Sequence, residues 1–176
     1  TDGERVIAYF GPAGIHCYDL SGKRLWSKEL GSHRMQMDWG MASSPVLHGE
    51  QVFVQCDNDD RSFLVALDKS TGDEVWRAER DEKSNWCTPH IWRNQQRIEL
   101  VAAGGNKMRS YEPTTGKLLW EMAGSGRCAS SPVSDEKLLY VNSADRLTGL
   151  RGIVAAIRPG ASGDISLSGD TTNDFV

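Results

Sequence analysis

The chain has 176 residues, of which 39% are apolar and 25% charged, and its formal net charge is −4. That balance suits one globular domain with a core of its own and argues against a disordered segment. Acids and bases are interspersed without a basic block, which argues against nucleic acid as a partner. The longest purely apolar run, 153–157, is far too short to span a membrane.

In chain order, short β-branched or aromatic runs bounded by Gly, Asp and Asn read as strands. The first group lies near 5–10, 14–19 and 24–29. A second group begins around Ser43-Ser44-Pro45, with strands near 40–46, 51–56, 62–68 and 73–79. A third begins around Cys87-Thr88-Pro89, with strands near 86–92, 97–103, 107–112 and 117–122. A fourth begins around Ser130-Ser131-Pro132, with strands near 127–133, 137–142 and 152–158. The segment from Asp73 to Lys83 is rich in helix formers, and propensity alone would make it a helix. Its alignment with the stretches around Trp26 and Trp120 makes it a strand instead.

That alignment comes from a repeated turn. Ala66, Asp68, Thr71, Gly72 and Trp76 recur as Ser110, Glu112, Thr115, Gly116 and Trp120, and in shorter form as Asp19, Gly22 and Trp26. The tryptophans at 26, 76 and 120 are 50 and 44 residues apart, a period that marks a repeat architecture. The acid can cap the amides that follow it, as in an Asx turn. The glycine can take positive φ at the turn's end, and the tryptophan brings a large flat apolar side chain to the outer strand, to pack on the adjoining unit. A fourth, degraded copy falls at 156–163. Four antiparallel strands per repeat predict an all-β β-propeller of about four blades in an incomplete ring: 1–31 (partial), 38–80, 84–123 and 126–176 (partial).

With the spacing A-x-D-x-x-T-G-x-x-x-W, the chain resembles the pyrroloquinoline-quinone-like (PQQ-like) propeller repeat family, whose blade signature is called the tryptophan-docking motif. The family includes quinoprotein alcohol dehydrogenases, an outer-membrane assembly lipoprotein, and sensor or binding propellers, and its rings usually close with seven or eight blades. The resemblance implies a bacterial protein outside the cytoplasm. It also implies that the repeat frame starts and stops inside blades, as in a fragment or in a half-ring that associates with a second copy; a closed four-bladed ring is the alternative. In the dehydrogenases the quinone lies between a tryptophan and a disulfide of adjacent cysteines, beside calcium. Cys17, Cys56, Cys87 and Cys128 include no adjacent pair, so neither quinone nor calcium residues are assigned. The cysteines read as buried thiols, although four would permit two disulfides.

Loops entering the inner strands of a propeller line its channel. Here they carry Arg34, Asp38, Trp39, Asn85, Trp86 and Arg127, which are either a rim for a small polar ligand or a protein, or ordinary inter-blade packing. The acidic run 56–60 (CDNDD) lacks the spacing of a calcium loop and reads as a solvated turn. The stretch 124–129 fits GxGxxA formally, but Ser130-Ser131-Pro132 and a strand follow instead of a helix. His16, His33, His48 and His90 have no metal spacing, and no G-x-S-x-G elbow is present. The expectation is a non-catalytic binding or scaffold module. The alternatives are part of a PQQ- and calcium-dependent oxidoreductase, or an extracytoplasmic sensor domain.

Overall fold

The computed structural model describes residues 1–124, 126–143, 152–168 and 172–176. It holds four sheets joined in sequence as an open arc, not a closed ring. The first has β1 (Arg5–Tyr9), β2 (Ile15–Asp19) and β3 (Arg24–Lys28). The second has β4 (Val46–His48), β5 (Gln51–Cys56), β6 (Ser62–Asp68) and β7 (Glu74–Arg80), all antiparallel and in order. The third repeats this with β8 (His90–Arg93), β9 (Ile98–Ala102), β10 (Lys107–Tyr111) and β11 (Leu118–Ala123). The fourth has β12 (Val133–Ser134), β13 (Leu139–Ser143) and β14 (Ile153–Ile157). These are propeller blades, and the helix formers of β7 lie in a strand.

Two expectations need correction. The innermost strands start one residue after Pro45, Pro89 and Pro132, not several residues before them. Proline has no N–H to give to a ladder, so it marks the edge of a strand and not its middle. The turn at Pro159-Gly160 is followed by β15 (Gly163–Asp164), which does not complete the fourth sheet. It pairs in parallel with Trp120 and Glu121 on the outer edge of the third.

The central blades are buried on both faces, which explains their unbroken apolar runs. From β5, Val52, Val54 and Cys56 join Ile15 of the first blade, while Phe53 joins Leu100 and Tyr111 of the third. From β6, Phe63, Val65 and Leu67 face the first blade, and Leu64 and Ala66 the third. A third cluster joins Trp92, Val101 and Trp120 to Leu139, Val141 and Ile157. Each such side chain contributes about 1.5–3 kcal/mol on burial. The outer faces of the end blades keep Val6, Leu25, Tyr140 and Val154 exposed.

The repeated turns close as their chemistry predicts. Asp68 accepts from the amides of Ser70 and Thr71, Asp19 from those of Ser21 and Lys23, and Glu112 from those of Thr114 and Thr115. In each copy the ladder shifts register at the two residues before the acid. The Trp26 indole N–H donates to the Lys69 carbonyl at 3.0 Å, and Trp76 donates to that of Pro113 at 2.8 Å. Each ring lies against the next blade's turn glycine: a Cβ on Gly72 or Gly116 would come within 2.6 Å of Trp26 or Trp76 respectively. Trp120 differs. It is fully buried and donates to Glu99 of its own blade at 2.7 Å. The Gly160 turn that it would reach meets Gln96 instead, and Arg97 donates to the Ala161 carbonyl.

Candidate functional site

The connections divide between the two ends of the blades. Hairpins between first and second strands, and the repeated turns between third and fourth, lie at one end. The other end gathers the blade-to-blade loops around 29–45, 81–89 and 124–132 with the hairpins around 57–61 and 103–106. All six rim candidates belong to that end. Ser125, within the loop at 124–128, lies outside the described residues.

The structure brings Trp39 and Trp86 together, with ring centroids 5.6 Å apart. Trp86 is half-buried and donates its indole N–H to the Gly40 carbonyl at 2.9 Å, so it anchors the loop that carries Trp39. Trp39 itself is 62% exposed and its neighbour Met37 69%. Met37 (φ 51°) and Asp38 (φ 55°) are both left-handed, at a cost of roughly 1–2 kcal/mol each. A hydrogen bond from the Gln36 amide to Ser84 Oγ at 2.9 Å holds the loop on the next blade.

The other candidates divide. Arg34 is exposed and tied to Asp60, whose Oδ2 accepts the Arg34 amide at 2.7 Å. Arg127 is half-buried beside a pocket of about 190 Å³ that it shares with Lys83, Ser84 and Asn106. Asn85 is not a rim residue. It is buried, donates to the Ala103 carbonyl at 2.8 Å and accepts the Cys128 amide at 2.9 Å. It thereby ties the third blade's entry to β9 and to the fourth blade's entry.

The acidic run is not a solvated turn. Asp57 and Asn58 are buried. Asp57 takes both arms of Arg80, at 2.8 and 3.1 Å, with no side-chain exposure on either partner, and also accepts from Gln55 at 2.7 Å. Burial opposes the Arg80 charge, but the fields of Asp57 and Tyr111 outweigh it and hold the guanidinium above its ordinary value. Asn58 accepts the Asp60 and Arg61 amides, Asp59 accepts from Ser84, and Asp60 pairs with Arg34. The sequence hides this network because the residues that consume the acids, Arg80 and Ser84, lie some 20 residues downstream.

A second buried carboxylate, Glu82, accepts the amides of Asn106 and Lys107 and a bond from Arg109. Burial pushes its carboxyl above the ordinary range. Arg109 also reaches Asp81 and Glu121. Asp57 and Arg80 thus pair within the second blade, while Arg109 links the connection after β7 to the third blade. All four cysteines are free, buried thiols. Among the described residues no three His, Cys, Asp or Glu side chains converge in one group. No helix among the described residues is long and apolar enough to cross a membrane.

The chain matches the family model described as outer membrane protein assembly factor BamB over residues 1–91 and again over 65–157. A comparison with curated proteins gave no match. Among solved structures, BamB from Moraxella catarrhalis is similar over 92% of this chain and 52% of its own, at 15% identity and a TM-score of 0.61. A quinohemoprotein alcohol dehydrogenase from Pseudomonas putida HK5 is similar over 80% of this chain and 27% of its own, at 14% identity and a TM-score of 0.62. The quinohemoprotein alcohol dehydrogenase from Comamonas testosteroni is similar over 70% of this chain and 20% of its own, at 19% identity and a TM-score of 0.55. At these identities the likeness is one of fold. The chain spans about half of that BamB chain, 52%, and less of either dehydrogenase.

Proposed function

The chain belongs to the PQQ-like propeller family whose matching model is described as outer membrane protein assembly factor BamB, and from that premise we propose that it is a non-catalytic scaffold that docks a protein partner on its blade-to-blade loops. The observation that carries the reading is the loop 34–39. It spends backbone strain to present Met37 and Trp39 to solvent, and Trp86 and Ser84 fix its base. A preorganised aromatic anchor of this kind suits a protein interface, where tryptophan is enriched among the residues that dominate affinity. The charged groups beneath it support the same reading, since Asp57 and Arg80 satisfy one another, as do Glu82 and Glu121 with Arg109. A place outside the cytoplasm fits the outer-membrane description of the family. Further blades, or a second copy of the chain, would cover Val6, Leu25, Tyr140 and Val154.

The test places a photo-activated cross-linker at Trp39 and, as control, at exposed Ser70 on the opposite end. A discrete adduct from position 39 and none from position 70, competed away by excess wild-type chain but not by the Trp39→Ala chain, is expected. Equal labelling from both ends would sink the assignment of the face. Titration with PQQ and calcium, followed by tryptophan fluorescence, is expected to give no saturable change. Stoichiometric binding would instead favour the oxidoreductase reading.

A further inference from the structure

Cys87 and Cys128 stand at the entries to the third and fourth blades, 41 residues apart in the chain, and are 0% and 1% exposed. Their surroundings differ from those of Cys56. That thiol sits in an apolar cluster between blades, beside the Tyr9 hydroxyl. Cys87 and Cys128 form a cluster of their own with Ala103. Both sulfurs lie 3.1 Å from one acceptor, the Ser130 carbonyl oxygen, so they are separated by no more than twice that distance. The backbone around them is pinned across the blade boundary. The Trp86 amide donates to the Cys128 carbonyl at 3.1 Å, and Asn85 Oδ1 accepts the Cys128 amide at 2.9 Å. The Thr88 amide donates to Ser131 Oγ at 3.1 Å.

We propose that Cys87 and Cys128 are a redox modification site, a dithiol that a small-molecule disulfide converts into a covalent staple between the third and fourth blades. The chemistry is thiol–disulfide exchange. The Cys128 thiolate attacks one sulfur of the oxidant and expels one thiol. Cys87 then attacks the Cys128 sulfur of the mixed disulfide and expels the second. The protein loses two thiol hydrogens, one S–S bond forms, and the oxidant's own S–S bond is reduced to two thiols. Coupling within the pair lowers the Cys128 thiol and raises the Cys87 thiol, so Cys128 is taken as the attacking sulfur. The staple would fix the two loops that carry Trp86 and Arg127.

The proteolytic map makes the test clean, because trypsin places each cysteine in its own peptide. Cys87 falls in 84–93 and Cys128 in 128–137. Folded wild-type protein is incubated with oxidised glutathione, quenched with iodoacetamide in denaturant, digested without reduction and read by mass spectrometry. The expected product is 84–93 joined to 128–137, lighter by two hydrogens than the sum of its parts, with Cys17 and Cys56 alkylated. Dithiothreitol should abolish it. Four alkylated cysteines, a persistent glutathione adduct on Cys128, or links scattered over all four cysteines would each overturn the proposal.

Discussion

Gly116→Ala isolates the contact between blades two and three. The substitution has two costs. Gly116 sits at φ 72°, where a Cβ costs roughly 1–2 kcal/mol. The new methyl would also stand 2.6 Å from Trp76 Cε3 and 2.7 Å from Cδ2, about 1 Å inside carbon–carbon contact. The indole cannot yield easily, because Phe53 and Tyr111 flank it with ring centroids at 5.8 and 6.5 Å, and its N–H is held by Pro113. Such overpacking costs about 1–3 kcal/mol, and straining the hydrogen bond adds about 0.5–1.5 kcal/mol. Gly22→Ala supplies the control: its φ is 86°, and nothing lies within 4 Å of its added Cβ. Urea unfolding at a common slope should show Gly116→Ala costing about 2–3 kcal/mol more than Gly22→Ala. In a Trp76→Ala background the excess should vanish, because the clash needs both groups. Equal costs for the two glycines, or an excess that survives loss of the indole, would refute the stacking argument.

Asp57→Asn should cost about 3–5 kcal/mol in the same assay, since it leaves the Arg80 charge buried without its counterion; a loss below about 1 kcal/mol would mean that water reaches the pair. The pH dependence carries two signs. The Asp135 carboxyl is held low by the Leu138 and Lys137 amides, and that of Asp19 by Ser21 and Lys23. Their contribution is therefore present above the ordinary aspartate value of 3.8 and is lost as the pH falls through their lower folded values. Glu82 is raised by burial, so its contribution is present below the ordinary glutamate value of 4.5 and is lost as the pH rises through its higher folded value. Thermal midpoints should fall on acidification below about 4; Glu82→Gln should remove the gain in stability that acidification brings between the raised Glu82 value and 4.5 and leave the slope below about 4 unchanged, and a gain that survives the substitution would refute the assigned sign.

The sequence carried the strands and repeated turns plainly, because each blade uses the same local chemistry: an acid that caps, a glycine at positive φ and a tryptophan. Departures arose where something other than the repeated turn sets a residue's place. The stretch 40–45 is apolar enough to pass for a strand, but Pro45 cannot join a ladder and the pairing begins after it. Asp57 looked solvated because its neighbours are polar, yet Arg80 and Gln55 close over it. Asn85 looked like rim and is a buried tie between blades. Trp120 matched its counterparts, but Glu99, an acid within β9, takes its N–H. Trp39 was legible as a loop aromatic. Its left-handed approach was not, since Met37 and Asp38 give no glycine signal.

The double burial of β5 and β6 has a consequence for how the chain finds its alignment. In a sheet wet on one side, slipping a strand by one residue throws its apolar side chains into water, and that penalty specifies register. Here such a slip would exchange one apolar interface for another, so greasiness alone would tolerate it. What it would not tolerate is misplacing Gln55, which must reach both Asp57 and the Ala103 carbonyl. In the third blade the same holds for Glu99, whose oxygens gather Ser110, Trp120, Asn94 and Arg97. The few buried polar groups are the proofreaders of strand pairing: they contribute little to cohesion and reject the near-miss folds that an oily core would accept.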